Sequence, residues 1–170
     1  MISPTETDPV CRLDSTGGRC ELDMNLEILH GVPVFSGIPP KCLKIYAYMS
    51  KRARYGEGAF LFRQGDADDR GYIVISGKAQ VIRELKNSSV FLEEFKPGDF
   101  FGGLALFSRT NRLFSVRALT PLECLTLDRE SFRKLLVQFP EVTVAVLEVM
   151  IRRIVTLEEK LFQDRECTGG

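Results

Sequence analysis

"ARYGEGAFLFRQGDADDRGYIVISGKAQVIRELKNSSVFLEEFKPGDFFGG", residues 53–103, decides how this chain is built. Short runs rich in Ile, Val and Phe alternate with turn signals: GEG, QGD, SG, KNSS and PGD. The turns recur roughly every eight to twelve residues, the spacing of short antiparallel strands in a sandwich or barrel. In "SG" at 76–77, Gly77 supplies the left-handed backbone that a two-residue hairpin needs. QGD at 64–66 and PGD at 97–99 are turns of a similar kind. The same texture runs on to "PLECLTLD", which ends at Asp128.

Helical patterns flank this region. Leu22, Leu26 and Leu29 predict a short helix over about 22–31, broken by "GVPVFSGIPP", and residues 40–51 predict a second. "KRAR" at 51–54 reads as the solvated end of that second helix. Asp128 is placed to cap "RESFRKLLVQF", which Pro140 limits. A long helix is then expected over 141–163. Thr143, Leu147, Met150, Ile154, Leu157 and Leu161 are spaced +4, +3, +4, +3, +4, an a/d seam. The reading is a homodimer in which Leu147, Met150, Ile154, Leu157 and Leu161 face a second copy. The alternative is that the stripe packs within the chain. Residues 1–21 and 164–170 read as tails without a hydrophobic period, which leaves 22–140 as the folded domain.

The bulk numbers remove several function classes. The chain has 170 residues, 44% hydrophobic and 27% charged, which suits one domain with a real core. Its 23 basic and 23 acidic residues cancel, so nothing electrostatic calls for nucleic acid or an anionic membrane. Five cysteines stand far apart, with no CxxC and no zinc spacing, so reduced thiols and no metal are expected. No secretory h-region and no run of about 18–20 apolar residues occurs, so a soluble cytoplasmic protein is expected. His30 is the sole histidine, and no Ser/His/Asp or Cys/His set is available, so the chain is not read as an enzyme. The acid pairs Asp68/Asp69 and Glu93/Glu94 read as solvated surface, and Cys124 as a buried strand cysteine. "DADDR" at 66–70 lacks the glycine and glutamate of a calcium loop.

One stretch carries chemistry: "FGGLALFSRTNRLFSVRALT", residues 101–120. Gly102 and Gly103 would let the backbone approach a ligand closely. A helical turn opening there would aim free N–H groups at an anion. Arg112 could fold back and grip phosphate oxygens with parallel hydrogen bonds. Spacing alone leaves two readings open, an anion site and a glycine turn beside a surface arginine.

Taken together, "LEILHGVPVFSGIP", "RYGEGAFLFRQGDADDRGYIVISGKAQV", "FKPGDFFGGLALF", "NRLFSVRAL" and "ESFRKLL" resemble the cyclic-nucleotide-binding domain family. This is the Crp/Fnr-like module also found in cyclic-AMP-dependent kinase regulatory subunits. The resemblance implies a mainly β fold with flanking helices: an antiparallel jelly-roll barrel (a double-stranded β-helix), short N-terminal helices and a long C-terminal helix. It implies a ligand, cyclic AMP or cyclic GMP, and no other cofactor. The implied ligand-binding residues are Gly102, Gly103, Leu104, Ala105, Arg112, Leu113 and Ser115, with the amides of 102–105 as cradle and Arg112 as anchor.

The sequence departs from the family pattern in two places. Gly103 stands where the family has a glutamate that accepts the ribose 2′-hydroxyl. Leu113 and Phe114 stand where it has two small residues. Losing a charged acceptor costs about 1.5–3 kcal/mol, or about ten- to hundredfold in affinity. Three readings follow: a cyclic-nucleotide receptor with a variant sugar contact, a sensor of another small phosphate or carboxylate, or a ligand-free dimeric docking module. In the first two, the signal passes through the C-terminal helix to a protein partner. The family's helix-turn-helix is not expected after residue 163, so direct DNA binding is not expected either.

Overall fold

The computed structural model describes residues 20–86 and 88–140, and then 143–144, 147–148, 151–152 and 155. Helix α1 (Glu21–His30) and a 3-10 turn (Pro33–Phe35) precede helix α2 (Pro40–Met49). Strands β1 (Lys51–Tyr55), β2 (Phe60–Phe62), β3 (Arg70–Ser76), β4 (Ala79–Leu85), β5 (Ser88–Phe95) and β6 (Phe100–Phe101) follow. Then come the one-turn helix α3 (Leu104–Phe107), strands β7 (Ser115–Ala118) and β8 (Leu122–Asp128), and helix α4 (Arg129–Gln138).

Two four-stranded antiparallel sheets form, in the orders β1-β8-β3-β6 and β2-β7-β4-β5. Their inner faces enclose one core, with Phe62, Tyr72, Val74, Val81, Phe101 and Val116 among its buried residues. A second core joins the outside of the first sheet to the helices through Ile73, Leu125, Leu43, Tyr46, Phe132 and Leu135. Successive strand residues point to opposite faces. Tyr72 and Val74 therefore enter the barrel while Ile73 meets the helices. That double burial is why "GYIVI" reads as a continuous apolar run rather than an alternating one.

Local chemistry explains the element ends. Gly77 turns β3 into β4 at φ 83°; a Cβ there would lie 2.2 Å from the Pro121 carbonyl oxygen. Asp128 caps α4 as expected, accepting from the Ser131 amide at 2.8 Å and from its hydroxyl at 2.9 Å. "KRAR" is not a helix end. α2 stops at Met49, where extended Ser50 turns its hydroxyl back to the Tyr46 carbonyl at 2.7 Å. Lys51–Tyr55 then pairs with β8, because Ala53 and Tyr55 alternate into the core. Arg52 is tied down between Asn25, Glu21 and Glu123.

Beyond Pro140, residues 143–144, 147–148, 151–152 and 155 are helical. Leu147 is 57% exposed, and Val144, Ile151 and Val155 join it in an exposed apolar stripe. Met150, Ile154, Leu157 and Leu161, and the tails 1–19 and 164–170, lie outside the described residues.

Candidate functional site

The site begins where β6 ends. Gly102 takes φ 77°, which turns the chain from β6 into α3. A Cβ at that position would lie 2.8 Å from Arg112 Nη1 and 2.9 Å from the Arg70 carbonyl oxygen. Glycine is therefore required twice, for the left-handed backbone and for the space the guanidinium fills.

Arg112 is only 7% exposed and points into the barrel wall. Its Nη2 meets Asp68 Oδ2 at 2.6 Å and also donates to the Arg70 carbonyl. Its Nε reaches the same Asp68 oxygen at 3.2 Å, and Nη1 donates to the Gly102 carbonyl at 3.2 Å. The guanidinium lies 4.1 Å from the Phe62 ring centroid and 5.7 Å from that of Tyr72. A buried cation needs this degree of satisfaction: a paired carboxylate, hydrogen bonds and aromatic faces. Arg112 thus ties together the β2–β3 connection, the start of β3 and the glycine turn.

Asp68 was expected at the solvated surface, but it is largely buried against Arg112. Its side chain is 17% exposed, and it accepts from Arg112, from the Tyr72 hydroxyl at 2.8 Å and from the Arg70 amide at 3.3 Å. A buried arginine needs a counter-charge, yet its partner stands 44 residues earlier in the chain. No local signal in "DADDR" separates Asp68 from its neighbours. Burial first, and then the Asp68 charge, push the Tyr72 phenol well above its ordinary range. Burial also pushes Tyr55 up to about 12. Both remain neutral at physiological pH, so the Tyr72 hydroxyl remains a donor to Asp68.

The structure gathers Gly102, Leu104, Ala105, Arg112 and Leu113 around one small cavity of about 60 Å³, with Thr110, Asn111 and Phe114. Gly103 sits at the N-cap of α3 in helical conformation. The amide cradle is narrower than expected. The Ala105 amide is spent on the Gly102 carbonyl at 3.1 Å and that of Leu106 on the Gly103 carbonyl at 3.0 Å. The amides of Gly103 and Leu104 find no backbone acceptor among the described residues. Leu113 stands 56% exposed at the rim. Phe114 packs against Phe62 with ring centroids 6.1 Å apart and forms a wall of the cavity.

Ser115 does not join this lining. It is fully buried on the other face of β7, where its hydroxyl donates to Glu84 at 2.7 Å and accepts from the Gln64 amide at 2.8 Å. Alternation along the strand explains this, since Val116 beside it takes the inward position.

The turn at 102–106 is coupled to the following helix. Phe107 of α3 meets Phe132 of α4 edge to face at 5.0 Å, and Arg129 Nε donates to the Ala105 carbonyl at 2.5 Å.

Residues 52–139 match the model of the cyclic nucleotide-binding domain. This chain belongs to that family. It is similar to the CRP-like cAMP-activated global transcriptional regulator of Mycobacterium tuberculosis, 29% identical over 129 residues, which are 75% of this chain and 58% of that protein. It also matches the cAMP-dependent protein kinase regulatory subunit of Schizosaccharomyces pombe, 30% identical over 80% of this chain and 34% of that one. The chain thus spans about half of the first relative and a third of the second. Among solved structures it resembles the N-terminal domain of a transcriptional regulator from Streptomyces coelicolor A3(2), with a TM-score of 0.72, 26% identity, 79% of this chain and 94% of that chain covered. The jelly-roll fold expected from the family motifs is the fold found.

Cys124 is fully buried in β8, and burial pushes its thiol up to about 12, so it is an unreactive core residue. His30 ends α1. Among the described residues no helix is long and apolar enough to cross a membrane.

Proposed function

We propose that this chain is the sensing module of a regulatory system and binds a cyclic nucleotide through the phosphate. The observation that carries the reading is Arg112, a buried cation held against a turn that only glycine forms without strain. Arg112 supplies the charge, and the amides of Gly103 and Leu104 supply donors at the mouth of the cavity. Both relatives above are regulatory proteins whose names carry cyclic AMP. The small cavity of about 60 Å³ bordered by Arg112 and the start of α3 is where the charged group would enter. In this reading the sugar and base would extend past the exposed Leu113 at the rim.

Binding acts without chemistry. An anion that pulls on Arg112 and the α3 amides moves α3, and α3 carries α4 through the Phe107–Phe132 contact and the Arg129–Ala105 hydrogen bond. The C-terminal helix then repacks, biased only by the ligand's difference in affinity between the two states. In this reading the exposed stripe with Leu147 pairs two copies in the cytoplasm, and Leu147→Glu reduces the particle mass in light scattering from a dimer to a monomer.

The test is thermal melting with cyclic AMP and cyclic GMP on protein verified free of nucleotide. A ligand at a hundredfold excess over Kd stabilises by about 2.7 kcal/mol. Arg112→Lys, which keeps the charge but loses the fork of donors, should remove most of that gain. No shift with either nucleotide at millimolar concentration rejects the cyclic-nucleotide reading and leaves a sensor of another small anion or a ligand-free docking module.

A further inference from the structure

The outer surface behind α3 carries a groove that the ligand reading leaves unused. Arg129, Arg133 and Val137 recur every four residues and form one stripe of α4. The helix buries Phe132 and Leu135 on its other side. Arg109, from the segment after α3, shares the groove with that stripe, and Asp69, Glu130 and Lys134 complete a concavity of about 790 Å³.

Its charges are unevenly spent. Glu130 is taken by Lys134 at 2.7 Å. Arg129 uses Nε on the Ala105 carbonyl, and its two terminal nitrogens have no partner among the described residues. Arg109 and Arg133 have no carboxylate at ion-pair distance among the described residues. Four cations thus face two carboxylates. The whole chain is neutral, with 23 charges of each sign, so this excess is local. It is not the broad basic field that draws in nucleic acid.

Size and chemistry then define the occupant. From Arg129 to Val137 the helix rises about 12 Å, the reach of about four residues of extended chain. Guanidinium forks match carboxylates with two parallel hydrogen bonds. Val137, 83% exposed at the far end, offers an apolar contact. We propose that this groove docks an acidic segment of a partner protein, about four extended residues with two or more Asp or Glu and an apolar side chain against Val137.

The groove also touches the wall of the buried arginine site. The Arg129 amide donates to the Asp69 carbonyl at 3.0 Å, and the adjacent Asp68 carries the carboxylate that holds Arg112. Docking at the groove therefore bears on the same dipeptide and the same α3 turn from outside. The proposal does not rest on which ligand, if any, enters from inside.

The experiment uses the full chain without nucleotide and a fluorescein-labelled peptide, Glu-Glu-Asp-Leu, with Gln-Gln-Asn-Leu as control, read by anisotropy. The expected result is saturable binding of the acidic peptide alone, weakening as salt rises. Arg109→Glu/Arg133→Glu should lose about tenfold or more in affinity, Arg109→Gln/Arg133→Gln should lose less, and Lys86→Glu on the β4–β5 hairpin should lose nothing. Equal melting temperatures establish that the variants fold. The proposal is overturned by absence of saturation, by equal binding of the amide control, or by equal loss in Lys86→Glu. It is likewise overturned if inorganic phosphate at matched ionic strength displaces the peptide completely, which marks a small-anion site. A dimer mass that the Arg109/Arg133 variants abolish would assign the groove to a second copy instead.

Discussion

Asp68→Asn removes one charge from the least exposed ion pair described in the molecule and changes almost no volume. Arg112 and Asp68 have side chains only 6% and 17% exposed, with the close contact at 2.6 Å. Breaking a buried pair by removing one partner costs about 3–5 kcal/mol, because the remaining charge stays buried without compensation. Asparagine keeps an oxygen that can still accept from Nη2 and from Tyr72, which places the expected loss near the lower end, about 3 kcal/mol. That is a large part of the 5–15 kcal/mol that holds a typical domain. In a melting experiment it corresponds to a fall of about 6–12 °C for a chain of this size. The sign then reverses for ligand binding. With its internal counter-charge gone, Arg112 gains more from an external anion, so phosphate should stabilise Asp68→Asn more than it stabilises the parent chain. The assay is urea unfolding of both proteins in chloride and in phosphate at equal ionic strength. A loss below about 0.5 kcal/mol, the level of ordinary surface substitutions, would show that the pair does not hold the site. An identical phosphate effect in both proteins would show that Asp68 and an anion do not share Arg112.

Gly102→Ala should lose about 1–2 kcal/mol for its left-handed backbone and about 1.5–3 kcal/mol more as Arg112 gives up a charge-assisted hydrogen bond; urea unfolding reads the sum, and calorimetry should record loss of any nucleotide binding. Gly103→Glu restores the sugar acceptor that the family resemblance implies. It should tighten cyclic nucleotide binding by about ten- to hundredfold and create a preference over the 2′-deoxy analogue that the parent chain lacks, both measured by calorimetry. Alkaline stability should fall in two stages. Cys124 and Tyr55 both have folded values raised to about 12, from 9.0 and 10.0, so each contributes stability that is complete below its unfolded value and lost as pH climbs to about 12. Each fully engaged group adds a slope of about 1.4 kcal/mol per pH unit, so Cys124→Ala should flatten the melting temperature between pH 9 and 10 and leave the later fall in place.

The barrel was legible because its signals are local. The five glycines at 58, 65, 77, 98 and 102 all take positive φ in the structure, and a glycine among turn residues announces itself within a few positions. Asp128 as cap of α4 is equally local, since a side-chain oxygen and an amide three residues on decide it. "KRAR" misled because basic residues suit a helix end and an edge strand alike; only the pairing of Ala53 with Cys124 on β8 decides between them. Ser115 misled for a related reason. A motif position does not say which face of a strand a side chain takes.

What the order of residues determined by itself was the alternation of short strands and turns, the helices at either end, and a glycine turn followed by one arginine. These depend on backbone freedom, hydrophobic period and neighbours a few residues away. What only the tertiary structure decided was what Arg112 meets: Asp68 from a connection 44 residues earlier, the carbonyls of Arg70 and Gly102, and the faces of Phe62 and Tyr72. The physical reason is that a buried charge is satisfied by whatever groups the closed barrel brings within hydrogen-bond reach, and those groups have no fixed separation along the chain.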